Sequence, residues 1–252
     1  MTLIGTMSSI VEQFPPELRA ALHGEIPRYA FDVGVTVAHT PKGGRVCDIG
    51  GGWGAFALGS AAAGLRAILV DDFGDRGFYD EATMSVMQKL YAKYGVEVIS
   101  RDVVANQLDF GRHTLDTITA FDTLEHWHHS PKRLLQSVTQ TLKPGGTFIL
   151  ATPNCVNLRK RITVPLGRGK WSAMADWYEQ EVFRGHVREP DVDDLRYIAR
   201  DMKLQDVRVI GRNWAGYAQR GPIRKLMPVI DRVLRFRPSL CSDLYMIGKT
   251  AS

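Results

Sequence analysis

Four glycines fall within five residues in the stretch Val46-Cys47-Asp48-Ile49-Gly50-Gly51-Gly52-Trp53-Gly54. The run before them, Arg45 to Ile49, reads as a short strand, and Ala55 to Ala63 after them reads as a helix. A strand that enters a helix through such a turn uses backbone conformations closed to residues with a Cβ, and it lets a ligand lie against main chain. Gly50, Gly52 and Ala55 also fit the dinucleotide pattern G-x-G-x-x-G/A, so the turn alone leaves open which nucleotide-like ligand it serves.

Strand-like runs recur at Arg66 to Val70, Val96 to Ser100, Leu115 to Phe121 and Thr147 to Thr152. Helical patterns separate them at Tyr79 to Tyr94, before Gly95, and at Ser130 to Leu142, where Ser130 is placed to cap and Pro131 suits the first turn. This alternation predicts an α/β domain with a parallel sheet covered on both faces. Ligands of such sheets sit at the carboxyl ends of the strands, near the point where strand order reverses. After Cys155 the rhythm changes to a helix at Asp191 to Met202 and strands at Val207 to Gly211 and Leu244 to Gly248. The connection between those strands far exceeds the roughly two to five residues of a usual hairpin, so an insertion is expected at about 212–243. Within it Ile223, Leu226, Met227, Ile230, Val233 and Leu234 recur at helical spacing, with Arg224, Lys225, Arg232 and Arg235 among them. A basic amphipathic helix is expected at 222–236, with its stripe packed on its own domain, on a homodimer partner or as a wall of the acceptor pocket, in preference to an anionic membrane.

With 252 residues, 44% hydrophobic and 23% charged, the chain is expected to form a single globular domain, 1–252. Its longest uncharged stretch, Ile49 to Leu65, is 17 residues with six glycines. A spanning helix needs about 20 mostly apolar residues, so none is expected. No basic start followed by an apolar run opens the chain. Cys47, Cys155 and Cys241 show no CxxC spacing. Together these predict a cytoplasmic protein with reduced thiols and no zinc signature. Residues 1–154 carry 13 Lys and Arg against 16 Asp and Glu, and residues 155–252 carry 19 against 11. The cations form no run longer than Arg159-Lys160-Arg161, so most of them are read as a solvated face, and no nucleic-acid partner is expected.

The second strand ends in Val70-Asp71-Asp72, about 20 residues beyond the glycines, where a carboxylate accepts both hydroxyls of a ribose. Asp71 is the candidate, with Asp72 next in register. The third ends in Arg101-Asp102-Val103, where Asp102 either accepts from an adenine amine or caps a turn. The fourth runs into Phe121-Asp122-Thr123-Leu124-Glu125-His126, and Leu142-Lys143-Pro144-Gly145-Gly146 and Thr152-Pro153-Asn154 follow. Taken together, D-x-G-x-G-x-G over Asp48 to Gly54, Asp71, D-x-x-E-H over Asp122 to His126 and L-K-P-G-G resemble the class I S-adenosylmethionine-dependent methyltransferases, over roughly residues 40–155. The resemblance implies a Rossmann-like, doubly wound seven-stranded sheet, mostly parallel with its last strand reversed, and S-adenosyl-L-methionine as cofactor. It implies Asp48, Gly50, Gly51 and Gly52 beside the methionine part, Asp71 on the ribose, Asp102 and Val103 at the adenine, and Phe121 closing the pocket. A nicotinamide-dependent oxidoreductase, the alternative that the glycine turn permits, would need a hydride-transfer constellation that the sequence does not display.

The segment Asp122 to His126 resembles the E-x-x-E-H stretch of ubiquinone-biosynthesis O-methyltransferases, whose two carboxylates and histidine hold a divalent cation. Here Asp stands at the first position. Asp122, Glu125 and His126 are accordingly the expected ligands of Mg2+ or another divalent cation, against a structural reading in which Glu125 and His126 only cap the loop. A hydroxyl acceptor needs a base or an acidifying metal, which makes His126 and Asp122 the catalytic candidates. The segment 156–190 is the expected substrate cover, with Trp171, Tyr178, His186 and Arg188 as acceptor contacts. Thr152-Pro153-Asn154, the aromatic cover, Gly185-His186-Val187-Arg188-Glu189 and the basic C-terminal part resemble methyltransferases of bacterial polysaccharide clusters. They imply O-methylation of a sugar, oligosaccharide or glycolipid precursor, with a phenolic or quinone-like small molecule as the alternative.

Overall fold

The computed structural model describes residues 2–74, 80–168, 174–179, 181, 183–217 and 222–252. Tyr79 and Trp171, and the side chains of Ile223 and Arg224, lie outside the described residues. In chain order the elements are α1 (Leu3–Val11), α2 (Pro16–His39), β1 (Arg45–Ile49), α3 (Ala55–Ala62), β2 (Arg66–Asp71), α4 (Glu81–Tyr94), β3 (Glu97–Ser100), α5 (Val103–Asn106) and β4 (Leu115–Phe121). A one-turn helix at Leu124–His126 leads to α6 (Lys132–Thr141), β5 (Leu142–Pro153), α7 (Leu158–Thr163), α8 (Met174–Tyr178) and α9 (Val192–Asp201). Then come β6 (Gln205–Arg212), α10 (Trp214–Tyr217), α11 (Pro222–Leu234), a second short turn at Pro238–Leu240 and β7 (Asp243–Lys249).

The seven strands lie in the order β3-β2-β1-β4-β5-β7-β6. β1 to β5 pair in parallel, and β7 runs antiparallel to both β5 and β6, so β7 alone is reversed. This is the expected doubly wound topology, and the order reverses between β1 and β4. Every strand found in the sequence is present within a few residues; β5 starts earlier because Leu142 already pairs with Leu115, before an irregularity at the glycine turn.

Period-two alternation sends each strand's residues to two layers. Val46, Ala67 and Leu69 face one layer with Phe14 of the turn between α1 and α2, Val33 of α2, Phe56 of α3 and Tyr91 of α4. Cys47, Ile49, Ile118, Phe148 and Met246 face the other, with Leu134 and Val138 of α6 and Leu195 and Ala199 of α9. The helices start and stop where local chemistry dictates. Asp80 caps α4 by accepting from Thr83 N at 2.8 Å, and Gly95 ends it at φ 67. Asp191 and Asp194 form a reciprocal capping box on α9. At α6 the capping residue is Pro131, one position later than expected, and Ser130 Oγ accepts from Lys132 N at 3.4 Å.

α1 and α2 are absent from the sequence reading. Buried Leu22, Ile26, Ala30 and Val33 do recur at helical spacing on α2, but Gly24 and Pro27 interrupt the pattern. The pair packs on α3 through Gly59. A Cβ there would lie 2.8 Å from Val33 Cγ2 and would overlap Met7 Sδ. Gly59→Val is expected to destabilise the fold by about 1 to 3 kcal/mol by overpacking, read as a lower urea midpoint with an unchanged slope.

Candidate functional site

The turn from β1 to α3 places Gly50, Gly52 and Gly54 at φ 66, 55 and 71, in the left-handed region that favours glycine. A Cβ on Gly50 would overlap Thr123, and one on Gly51 would overlap the Asp48 carboxylate and lie 2.6 Å from Leu69. The glycines therefore let the ends of β1 and β4 close on one another beside a crevice at the carboxyl edge of the sheet. Two cavities share Gly50, Gly52 and Asp122. The larger, about 600 Å³, includes Asp71, Asp102, Val103, Thr123, His126 and Arg184 in its wall. The smaller, about 240 Å³, includes Arg28, Tyr29, Asp32, Asp48, Gly51 and Phe121. Small-molecule sites span roughly 300 to 1,000 Å³, a range that includes the larger cavity.

All eight residues expected around the cofactor thus line one of these two spaces. Asp48 is buried, accepts from Thr119 Oγ1 at 3.0 Å, and is pushed by burial to about 8. Asp71 accepts from Gly52 N and Phe73 N, each at 2.9 Å, which ties the tip of β2 to the glycine turn. Burial raises its pKa and those two amides oppose the rise. Asp102 is the N-cap of α5, its Oδ1 accepting from Val104 N and Ala105 N at 3.0 Å, so the capping role anticipated for it is present while it also borders the larger cavity. Phe121 stands edge-on to Phe56 at 4.8 Å between centroids and borders the smaller cavity.

The expected cation triad is rearranged. Asp122, in the left-handed region at φ 48, is ion-paired with Arg28 of α2. Among the described residues, the group whose ligand atoms lie within 4.8 Å of one another is Glu125, His126 and His186. His186 replaces Asp122 because the segment 183–189 hangs on the turn after β4: Val187 N donates to Glu125 O at 2.7 Å, and His126 Nδ1 bonds Arg184 O at 2.8 Å. A carbonyl only accepts, so Nδ1 of His126 carries the proton and Nε2 keeps a lone pair. His186 Nδ1 meets Glu189 Oε1 at 2.8 Å, and Glu189 also pairs with Lys160. Glu125 is fully buried; Thr152 Oγ1 donates to its Oε2 at 3.1 Å and, among the described residues, its Oε1 has no hydrogen-bond partner. Burial, with Asp122 near, pushes Glu125 to about 8, burial lowers His126, and the bond to Glu189 raises His186.

Two of the acceptor contacts expected on the cover do not reach the crevice. Tyr178 is 73% exposed, and Arg188 turns to Asp194 of α9 at 3.2 Å. The cover contributes Arg184 to the cavity wall instead. Arg28, Tyr29 and Asp32 were missed altogether, because they belong to α2. The signal for them was the spacing of Leu22, Ile26, Ala30 and Val33 around them. α2 is anchored by a buried relay in which Trp214 Nε1 donates to Tyr245 OH at 2.7 Å and Tyr245 OH donates to Asp32 Oδ1 at 2.8 Å.

A methyltransferase domain model matches residues 20–209. The chain belongs to this family, the class I S-adenosylmethionine-dependent methyltransferases. No curated protein sequence matches the methyltransferase. Among solved structures it is similar to a Thermotoga maritima S-adenosylmethionine-dependent methyltransferase described as a possible histamine N-methyltransferase, at 18% identity over 96% of this chain and 99% of that one, with a TM-score of 0.57. An Archaeoglobus fulgidus S-adenosylmethionine-dependent methyltransferase is 17% identical over 86% and 91%, with a TM-score of 0.56. The 1,6-didemethyltoxoflavin-N1-methyltransferase of Burkholderia thailandensis, solved with its substrate and S-adenosylhomocysteine, is 18% identical over 89% and 78%, with a TM-score of 0.57. At these identities the structures speak for the fold alone.

Asp48 of the methyltransferase keeps its proton when folded up to about pH 8 and releases it near 3.8 when unfolded. Its contribution to stability is whole at acid pH and declines as pH rises through that window. Asp48→Asn, which keeps an acceptor for Thr119, is expected to flatten the fall in melting temperature from about pH 5 to 8. An unchanged slope would mean that Asp48 is ionised in the folded chain.

Proposed function

We propose that this methyltransferase is an O-methyltransferase acting on a hydroxyl of a sugar, oligosaccharide or glycolipid precursor. S-adenosylmethionine would supply an electrophilic methyl group on a sulfonium. Asp48 and Gly50 to Gly52 are assigned to its methionine part, Asp71 to the ribose, Asp102 and Val103 to the adenine, and Phe121 to the inner wall. The absence of room for a Cβ at positions 50 and 51 supports this cradle.

The observation that carries hydroxyl transfer is the orientation of His126, whose Nδ1 is committed to Arg184 O while the residue lines the larger cavity. Its Nε2 is thereby kept as an acceptor for the proton that a hydroxyl must lose. Asp122, on Arg28 and at the junction of the two cavities, positions the acceptor rather than taking that proton. Asp122, His126 and Arg184 add polar groups to the wall, which suits a polyhydroxylated acceptor better than a quinone. An acceptor screen scored by S-adenosylhomocysteine release is expected to give turnover on sugars or oligosaccharides. His126→Ala is expected to lower kcat by about 10²- to 10⁴-fold with little change in the cofactor KM. Turnover confined to catechols or amines, or full activity of the variant, would overturn the assignment.

Two observations favour a second reading, in which Glu125, His126 and His186 would hold a divalent cation that would lower the pKa of the acceptor hydroxyl. Glu125 Oε1 is buried and without a hydrogen-bond partner among the described residues, and both His126 and His186 have Nδ1 held by an acceptor, as ligand histidines do. One carboxylate and two imidazoles suit Zn2+ or Mn2+ better than Mg2+. Calorimetric titration of metal-free protein is expected to give one Zn2+ or Mn2+ site that His186→Ala abolishes, with activity lost in chelator and restored by that ion. Full activity in excess chelator with no heat of binding would leave His126 as the base.

A further inference from the structure

We infer that the face formed by α7, α11 and the turn that follows α11 docks on an anionic lipid bilayer. α11 is amphipathic, but its exposed side is apolar. Leu226, Val229, Val233 and Phe236 are 57%, 64%, 62% and 88% exposed. Met227 and Asp231 point inward and are almost fully buried. At 3.6 residues per turn these two sets lie on opposite sides of the helix. The inward side is held: Asp231 accepts from Asn213 Nδ2 at 3.0 Å and pairs with Arg212 and Arg235. The helix cannot roll to cover its stripe without burying that carboxylate apart from its partners.

A second group of exposed apolar side chains lies at the end of α7 and in the residues just after it. Ile162, Val164 and Leu166 are 56%, 52% and 71% exposed. The two segments meet where Arg161 Nη2 donates to Ser239 O at 3.1 Å. An exposed apolar stripe rimmed by polar residues marks an interaction site.

Charge selects the occupant. Residues 155–168 contain no acid, and in 207–241 Asp231, the inward carboxylate, is the single acid. Exposed Lys225 and Arg232 lie along one edge of the stripe. A twofold dimer through this face would set cation against cation, because such a contact is made by the same patch on both copies. A bilayer with anionic headgroups accepts the apolar stripe and the cations together, in the manner of an interfacial helix. No helix among the described residues is long and apolar enough to cross a membrane, so the contact is peripheral. Pro153 pairs with Asp243, which pairs with Arg212, so α7 and α11 leave the sheet at the same edge as the crevice. A membrane-borne acceptor would therefore approach from the side where the crevice opens.

Vesicle flotation of the full chain tests this without any acceptor, so its failure would leave the acceptor assignment standing. The protein is expected to float with phosphatidylglycerol-containing vesicles and not with pure phosphatidylcholine, and to be released by high salt. Lys225→Ser with Arg232→Ser is expected to lower the partition coefficient about 25-fold, at about fivefold per cation. Val233→Ser with Phe236→Ser is expected to abolish flotation, with melting temperature and S-adenosylhomocysteine binding unchanged in both variants. Equal binding to neutral vesicles, no flotation, or a dimer in light scattering that the second pair of substitutions dissolves would each overturn the proposal.

Discussion

The crevice depends on the way a carboxyl group packs over a residue with no side chain. Asp48 sits on the last turn-facing position of β1, and its carboxylate occupies the space that a Cβ on Gly51 would need. Thr123, at the end of β4, makes the same demand on Gly50. Two neighbouring strand tips can meet there because the chain between them is reduced to backbone. That backbone in turn donates Gly52 N to Asp71, so three strands are registered through one turn. The crevice is what is left in front of this junction, and each assigned cofactor group borders it.

Behind the junction the protein holds buried acids that pair with neutral donors. Asp48 takes a threonine hydroxyl and Asp32 a tyrosine hydroxyl, and burial pushes both to about 8. A neutral carboxyl group in a dry site keeps its geometry without demanding a counter-ion, at the expense of stability as pH rises. Asp122 is treated differently: Arg28 meets it across the opening. The division leaves an ion pair where the two cavities meet and neutral hydrogen bonds behind it, which suits a reaction that gains from a water-poor approach.

Legibility was uneven for reasons that can be traced to single residues. β1, α3 and Asp71 could be read directly because a strand, a glycine turn and an acid about 20 residues later are short-range facts about one crossover. α1 and α2 were not, since Gly24 and Pro27 break the pattern of Leu22, Ile26, Ala30 and Val33, and with them went Arg28, Tyr29 and Asp32. Glu125 and His126 were found by their neighbours in the chain. His186, their spatial companion, lies 60 residues further on and joins them through backbone bonds from Val187 and Arg184 that leave no mark on residue order. The helical spacing in 222–236 was visible, but the direction in which its stripe faces was not. That direction was decided by a partner for Asp231 that comes from β6.

The alternation of strands and helices and the glycine turn are patterns that extend over a few residues, and the strand order and the reversed final strand were implied by the family resemblance that those patterns carry. Backbone conformation and element type are local properties, so residue order reports them. The choice of partner for each charged or apolar side chain is not local. Arg28 for Asp122, His186 beside Glu125 and solvent for the stripe of α11 were settled only when distant elements packed. The free energy of a buried charge or an exposed methyl group depends on what surrounds it, and that surrounding exists only in the folded chain.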